Sequence, residues 1–342
     1  MVSWETVRNQ ARRKRRAAHG QWMRLLPGVV LAAGVTLSSA AGCGATAPAR
    51  STGQVGQTNA VDSRSSAATP ELGHIFVLLM ENKEYDDIIG SSRAPFINSL
   101  AQGYGSAAEY YAIRHPSLPN YLALASGSTQ GMTTDCGDCS FDAPNLVDQL
   151  QSHQKSWKAY MEDIPGPCFN GESAGGIGPF GNLYVRRHNP WMYFRSISGD
   201  PSRCSSVVPL SQLQQDLQRG QVPDFVWISP NLRHDMHDGS IEEGDGWLSS
   251  FVPGILSSPA WQENGVLFLV WDEGTTSGGC CGGAVGGHTV ALVIASHGKR
   301  GYRSRTQLTH YSVLRTIEEG WRLGLMGGAA DPSTRSMAEF FR

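Results

Sequence analysis

His74-Ile75-Phe76-Val77-Leu78-Leu79-Met80 runs directly into Glu81-Asn82, and Val266-Leu267-Phe268-Leu269-Val270-Trp271 runs directly into Asp272-Glu273. Short unbroken apolar runs rich in Val, Ile and Phe are the pattern of strands buried on both faces of a parallel sheet. Ligand sites of such sheets lie beyond the carboxyl ends of the strands. Two oxygen-bearing dyads at two such ends predict one oxygen-rich cluster, the donor set of a hard divalent cation.

Outward from these strands, apolar runs and helical patterns alternate. Asn145–Gln154, Leu210–Gln218, Trp247–Leu256 and Tyr311–Trp321 read as helices, and Ser156–Met161, Pro223–Ser229 and Thr289–Ala295 as strands. The expected class is α/β, a three-layer α/β/α sandwich with a mostly parallel central sheet. Pro165–Pro209 is rich in Gly, Pro, Cys and aromatic residues and reads as a loop-rich excursion over the site, a candidate substrate-selecting lid.

The 342 residues divide unevenly. Arg12-Arg13-Lys14-Arg15-Arg16 precedes an apolar stretch, Leu25–Ala41, which is interrupted by Pro27, Gly28 and Gly34. It is short for a membrane span, so residues 1–43 read as an export signal, with Met23 as an alternative start. Ala40-Ala41-Gly42-Cys43 resembles a bacterial lipoprotein signal, which implies a lipid anchor on Cys43 and an extracytoplasmic, surface-held or secreted protein. Residues 44–72 are Ala, Ser, Thr, Gly and Gln with few apolar anchors, the composition of a flexible linker. Residues 73–342 suffice for one large domain.

A net charge of −2 provides no electrostatic basis for nucleic acid binding. With Cys43 set aside, six cysteines remain, an even number suited to an oxidising compartment. The sequence-local pairings are Cys136/Cys139, Cys168/Cys204 and Cys280/Cys281. A zinc site of Cys136, Cys139, Cys280 and Cys281 is the alternative, disfavoured by the adjacent pair.

Between the dyads, His115-Pro116-Ser117-Leu118-Pro119-Asn120-Tyr121 places a serine in a turn stiffened by two prolines, just before a helical pattern. A divalent ion beside a serine hydroxyl lowers its pKa and supplies charge for an attacked phosphoryl oxygen. Glu81, Asn82, Asp272 and Glu273 are therefore expected to hold the ion, with Ser117 completing its shell as nucleophile. His237 and His288, in loops at strand boundaries, are candidates for oxyanion binding or leaving-group protonation. Each dyad alone could equally be a helix cap. Ser117 alone could be one too, and His234/His237 a structural turn. His74, His153, His297 and His310 read as structural.

Five segments in order carry a resemblance to a known family: Glu81-Asn82-Lys83-Glu84-Tyr85, His115 to Tyr121, Asp235-Met236-His237, Trp271-Asp272-Glu273-Gly274 and Gly287-His288. Together, over Gly73 to Trp321, they resemble the phosphoesterase family of bacteria and fungi that includes acid phosphatases and phospholipases C, within the alkaline-phosphatase-like superfamily. The resemblance implies a serine phospho-enzyme and one or more divalent metals. It makes Glu81, Asn82, Asp272, Glu273 and Ser117 the metal ligands, and Ser117, His237, Asn120 and His288 the catalytic group. Asn120, His234 and His115 are the residues it places on substrate. Tyr121 stands where the sulfatases of the superfamily carry Arg, which argues against a sulfatase.

The expected enzyme is an exported, metal-dependent phosphomonoesterase acting on a small phosphorylated substrate. The chain ends soon after the last helix, whereas the larger phospholipases C carry further segments. The alternatives are a phospholipase C or phosphodiesterase acting on phospholipid, and a surface lipoprotein that binds metal or phosphate without turnover. Oxygen ligands favour Ca²⁺, Mg²⁺ or Mn²⁺, and participation of His237 would favour Zn²⁺ or Fe.

Overall fold

The computed structural model describes residues 68–176 and 181–342, which belong to a unit spanning Asp62–Arg342. The expected export signal, Cys43 and linker residues 44–67 lie outside the described residues. Residues just before 73 also contact the domain: Thr69 Oγ1 donates to Glu319 at 2.6 Å, and Leu72 is buried. Among the described residues, no helix is long and apolar enough to cross a membrane.

Among the described residues eleven strands form, in chain order: β1 (Ile75–Met80), β2 (Gly105–Tyr111), β3 (Trp157–Met161), β4 (Ser173–Ala174), β5 (Tyr184–Val185), β6 (Val207–Pro209), β7 (Phe225–Ser229), β8 (Val266–Trp271), β9 (His288–Ala295), β10 (Tyr302–Ser304) and β11 (Leu308–Thr309). Nine of them make one sheet in the order β10-β2-β9-β8-β1-β7-β3-β6, with β11 also on β2. Every pairing in it is parallel except those of β9 with β2 and β8. The small β4–β5 hairpin stands apart.

The two apolar runs quoted first are neighbouring strands, in register from Ile75 opposite Val266 to Met80 opposite Trp271. Their side chains split by parity, as the two-residue period of a strand requires. Ile75, Val77, Leu79, Val266, Phe268 and Val270 join one core, with the helices Ser117–Ser126 and His310–Gly320. Phe76, Leu78, Met80, Leu267, Leu269 and Trp271 join the other, with the helices Pro95–Gly103 and Ile241–Leu256. This is the expected three-layer sandwich. Both dyads sit at the same sheet edge because β1 and β8 are parallel. β9 runs the other way, so its first residue, His288, reaches that same edge.

The 165–209 excursion is more ordered than its composition suggests. It holds β4–β5, two 3-10 turns and two short helices, and Cys168–Cys204 ties its ends together. Trp191, Met192, Tyr193 and Phe194 are all fully buried in the core. The second local pairing, Cys136–Cys139, is also present, which removes the four-cysteine zinc alternative. The sulfurs of the third expected pair, Cys280 and Cys281, are not bonded to each other in this structure.

One buried acid of the core is costly. Glu318, on the helix His310–Gly320, is fully buried, accepts from Met326 N at 3.1 Å and leaves Oε2 without a partner. Burial pushes its carboxyl up to about 8. Between the ordinary carboxylate pKa and 8 the folded state holds a proton that the unfolded chain releases, so stability falls as pH rises through this window. Glu318→Gln is expected to raise stability by on the order of 2 kcal/mol at pH 8.5 and by little at pH 4.5. Urea melts at the two pH values check this; equal gains at both would contradict it.

Candidate active site

Glu81 follows β1 and is held there by its backbone N–H, which donates to Asp235 O at 2.8 Å. Its side chain is fully buried and meets four partners. Oε1 accepts from Tyr121 OH at 2.7 Å and lies 3.1 Å from His188 Nε2. Oε2 accepts from Ser117 Oγ at 3.1 Å and Asn82 Nδ2 at 3.2 Å. Asn82 has φ of +50°, a left-handed conformation that Asn tolerates better than most residues, and its N–H donates to Asp272 Oδ1 at 3.1 Å.

Ser117 opens the helix Ser117–Ser126, so it is the first helical residue and not part of a turn before the helix. Pro119 fits the first turn because its missing N–H lacks an intrahelical partner there in any case. Ser117 Oγ is buried and also lies 3.3 Å from Glu273 Oε1. Asp135 accepts from Leu118 N at 3.0 Å and so caps this helix start. His115 bridges Glu273 Oε2 at 2.7 Å and Thr276 O at 2.8 Å, clamping the second dyad. Buried His310 supports the same dyad from behind, with Nε2 2.5 Å from Asp272 O and Nδ1 2.6 Å from Tyr110 OH.

Four buried carboxylates, Glu81, Asp235, Asp272 and Glu273, therefore share one small volume. Burial raises all four carboxyls; neighbouring negative charge adds to the effect at Glu81, Asp235 and Glu273, whereas hydrogen bonds oppose it at Asp272. Asp272 rises to about 6, and Glu273, also facing Asp272, to about 9. Lys83, whose Nζ donates to Met236 O at 2.7 Å, is itself pushed down by burial. Such a cluster stays ionised at neutral pH only beside a stronger source of positive charge.

The unsatisfied atoms show where that charge belongs. Asp272 Oδ2, Asp235 Oδ2 and His188 Nε2 are buried without a hydrogen bond. His188 Nε2 lies 3.1 Å from Glu81 Oε1 and its Nδ1 lies 3.2 Å from Asp235 Oδ2, yet Nε2 and Oδ2 each lack a hydrogen bond. Ligand atoms of Glu81, His188 and Asp235 all fall within 4.8 Å of one another. Burial lowers the His188 pKa, keeping the imidazole neutral as a metal ligand must be. Lone pairs pointing together without a shared proton form an acidic and imidazole site that fits a divalent metal.

The predicted residues divide accordingly. Glu81, Asn82, Ser117, Asp272 and Glu273 converge. His237 stands at the rim: its Nδ1 is 2.7 Å from Asp238, its Nε2 is 3.3 Å from Arg187 Nη2, and its ring is 5.9 Å from that of His188. Asn120 is fully committed to the turn, accepting from Ile113 N and Arg114 N and donating to Arg114 O and Pro116 O. As it stands, its amide shapes the Ser117 loop instead of facing a ligand. His288 stacks on Tyr85 and Tyr111 and lies 2.9 Å from Ala108 O. His234 pairs with Glu162 at 2.9 Å and stacks on Trp247.

Sequence reading missed His188 and Arg187, which the excursion delivers to the site in one 3-10 turn, and assigned no role to Asp235 or Tyr121. A basic pair amid buried aromatic residues was the only available signal. Tyr121 does more than break the sulfatase pattern, since its ring stacks on His188 at 5.1 Å while its hydroxyl holds Glu81.

Comparisons with known proteins find relatives of this chain. The chain is 32% identical over 268 residues to a phosphatidylinositol-3-phosphatase of Mycobacterium tuberculosis, spanning 78% of this chain and 83% of that one. It is 32% identical over 219 residues to a phosphate-repressible acid phosphatase of Penicillium chrysogenum, spanning 64% of this chain but only 52% of the fungal protein. A solved alkaline phosphatase superfamily protein from Vibrio parahaemolyticus has the same fold, with a TM-score of 0.53 at 11% identity over 79% of this chain and 73% of that one. The sequence model of the Phosphoesterase family matches residues 91–324, and the chain belongs to that family.

Proposed function

We propose that this phosphoric ester hydrolase is an exported phosphomonoesterase that forms a phospho-Ser117 intermediate and depends on a divalent metal. The observation that carries the reading is the buried Ser117 hydroxyl, hydrogen-bonded to two carboxylates inside a cluster of four. Glu81, Asn82, Asp272, Glu273 and Ser117 would hold the metal, with His188 and Asp235 on the far side of Glu81. An imidazole among oxygen donors favours Mn²⁺, Fe or Zn²⁺ over Ca²⁺. When bound, the ion supplies positive charge that lowers the serine pKa and polarises a phosphoryl oxygen.

The protein's own groups do the rest. Glu81 and Glu273 are placed to take the Ser117 proton as Oγ attacks phosphorus. Arg187, 3.5 Å from Asp135 and with a buried Nε lacking a hydrogen bond, offers its guanidinium to the phosphoryl oxygens. His237, oriented by Asp238, donates a proton to the leaving oxygen once its Nε2, which faces the Arg187 guanidinium here, is protonated and parts from it. Water then cleaves the phosphoserine and releases phosphate. Arg187→Ala is expected to lower kcat/KM about 100-fold, with partial recovery in Arg187→Lys; unchanged kinetics in both would remove Arg187 from this role.

A monoester is favoured over a phospholipid diester because Tyr184, Trp191, Tyr193 and Phe194 of the excursion are buried, and the exposed large hydrophobics among the described residues are Val285 and Leu325. The test pairs p-nitrophenyl phosphate with phosphatidylcholine. Cleavage of the monoester is expected, and cleavage of the lipid alone would reverse the order. Export and the Cys43 anchor rest on the sequence pattern described above.

A further inference from the structure

Cys280 and Cys281 lie at the tip of a loop that joins both sides of the site. Its base is stitched to the segment leading into Ser117. Val285 N donates to Ile113 O at 3.0 Å, Gly286 N to Ala112 O at 3.0 Å, and Gly274 N to Gly286 O at 2.8 Å. The same loop supplies Thr276 O to His115, and its Thr275 and Thr276 N–H groups both donate to Glu84. The shape of the tip therefore bears on a residue that clamps Glu273.

The two sulfurs are 2.7 Å apart. Adjacent Cα atoms are about 3.8 Å apart across a trans peptide, closer than the roughly 4.4–6.8 Å usual for a disulfide. Neighbouring cysteines consequently point their sulfurs apart unless the backbone turns them together. Here it does. Gly278-Gly279 and Gly282-Gly283 flank the pair, and the last two adopt φ of +62° and +75°, which glycine takes without strain. Cys280 N donates to Ala284 O at 3.1 Å and Ala284 N to Cys281 O at 3.2 Å, closing the turn. Cys280 packs with Ile113, Ala284, Tyr111 and Tyr311 in a small apolar cluster. Burial and the neighbouring thiol push the Cys280 thiol up to about 12, so its thiolate is disfavoured.

We propose that Cys280 and Cys281 close into a vicinal disulfide in an oxidising compartment, and that the ring sets the loop shape that holds His115 on Glu273. The oxidant is a disulfide of the thiol–disulfide exchange class. Cys281 attacks it, releasing one thiol, and Cys280 then attacks the Cys281 sulfur of the mixed disulfide, releasing the second. Two thiol protons and two electrons pass to the oxidant. The covalent part stands on the loop alone, whereas the positioning part rests on the site reading above.

Full-length protein isolated from an extracytoplasmic compartment is denatured, alkylated with iodoacetamide without reductant, digested and weighed. The peptide carrying Cys280 and Cys281 is expected unalkylated and two hydrogens lighter than the dithiol, taking up two alkyl groups only after reduction. Two alkyl groups before reduction, or a link to any other cysteine, would overturn the proposal. The Cys280→Ser, Cys281→Ser double variant tests positioning without touching the other disulfides. It is expected to lose kcat several-fold at unchanged KM and metal content, with the loss suppressed when His115→Ala is added. A double variant as active as wild type would sink the positioning claim alone. Failure of the Ser117 mechanism would leave the peptide mass unaffected.

Discussion

Ser117→Ala is expected to lower kcat by at least about 1,000-fold while leaving the fold and the metal content close to wild type. The substitution removes one oxygen from a helix start whose cap, Asp135 on Leu118 N, and whose loop tie, Asn120 on four backbone groups, both remain. The nearest other hydroxyl on Glu81 belongs to Tyr121, and burial together with the Glu81 charge holds that phenol well above its usual pKa. It is therefore a poor substitute nucleophile. Acid quench during turnover of a phosphorus-labelled monoester should trap label on wild-type protein and none on the variant. Equal labelling, or undiminished turnover in the variant, would end the phospho-serine mechanism.

Glu81→Gln should produce the second large effect, in two opposite directions. Glu81 is shared by every arm of the cluster: Tyr121 and His188 on Oε1, Ser117 and Asn82 on Oε2. Removing its charge is expected to bring bound metal, measured by plasma mass spectrometry, down to background, and activity with it. The metal-free variant should nonetheless melt higher than metal-free wild type, because one of four mutually repelling buried carboxylates has become neutral. Wild type itself should lose stability on chelation. A ligand present at a hundred times its Kd contributes about 2.7 kcal/mol to the folded state. Chelated wild type that keeps both its Tm and its activity would refute metal dependence, whatever the fate of Ser117.

The parts of the site that were legible in the sequence share a cause. β1 and β8 are central strands of a covered sheet, so every side chain from Ile75 to Met80 and from Val266 to Trp271 is buried and the runs are unbroken. The first polar residues after such runs, Glu81 and Asp272, must lie at the sheet edge. Ser117 was legible because prolines on either side mark a turn before a helix. The fate of Asn120 was not, since its side chain bonds to backbone groups whose directions are set by the fold of the loop. His288 likewise looked free in a glycine-rich loop. The antiparallel pairing of β9 with β2 places it opposite Tyr111, between two aromatic rings.

Sequence by itself determined the layered α/β class, the two strand-end dyads, the serine between them and two of the disulfides, because each follows from local burial period, backbone restriction or short chain separation. Only the tertiary structure decided that His188 and Arg187 leave the excursion to complete the site, that Asp235 closes the far side of Glu81, and that Cys280 and Cys281 face each other. His188 lies more than a hundred residues from Glu81 along the chain and meets it only once β1, β7 and the helix Ser117–Ser126 have packed. No local pattern encodes such a meeting, since it depends on how separate elements stack around the shared sheet edge.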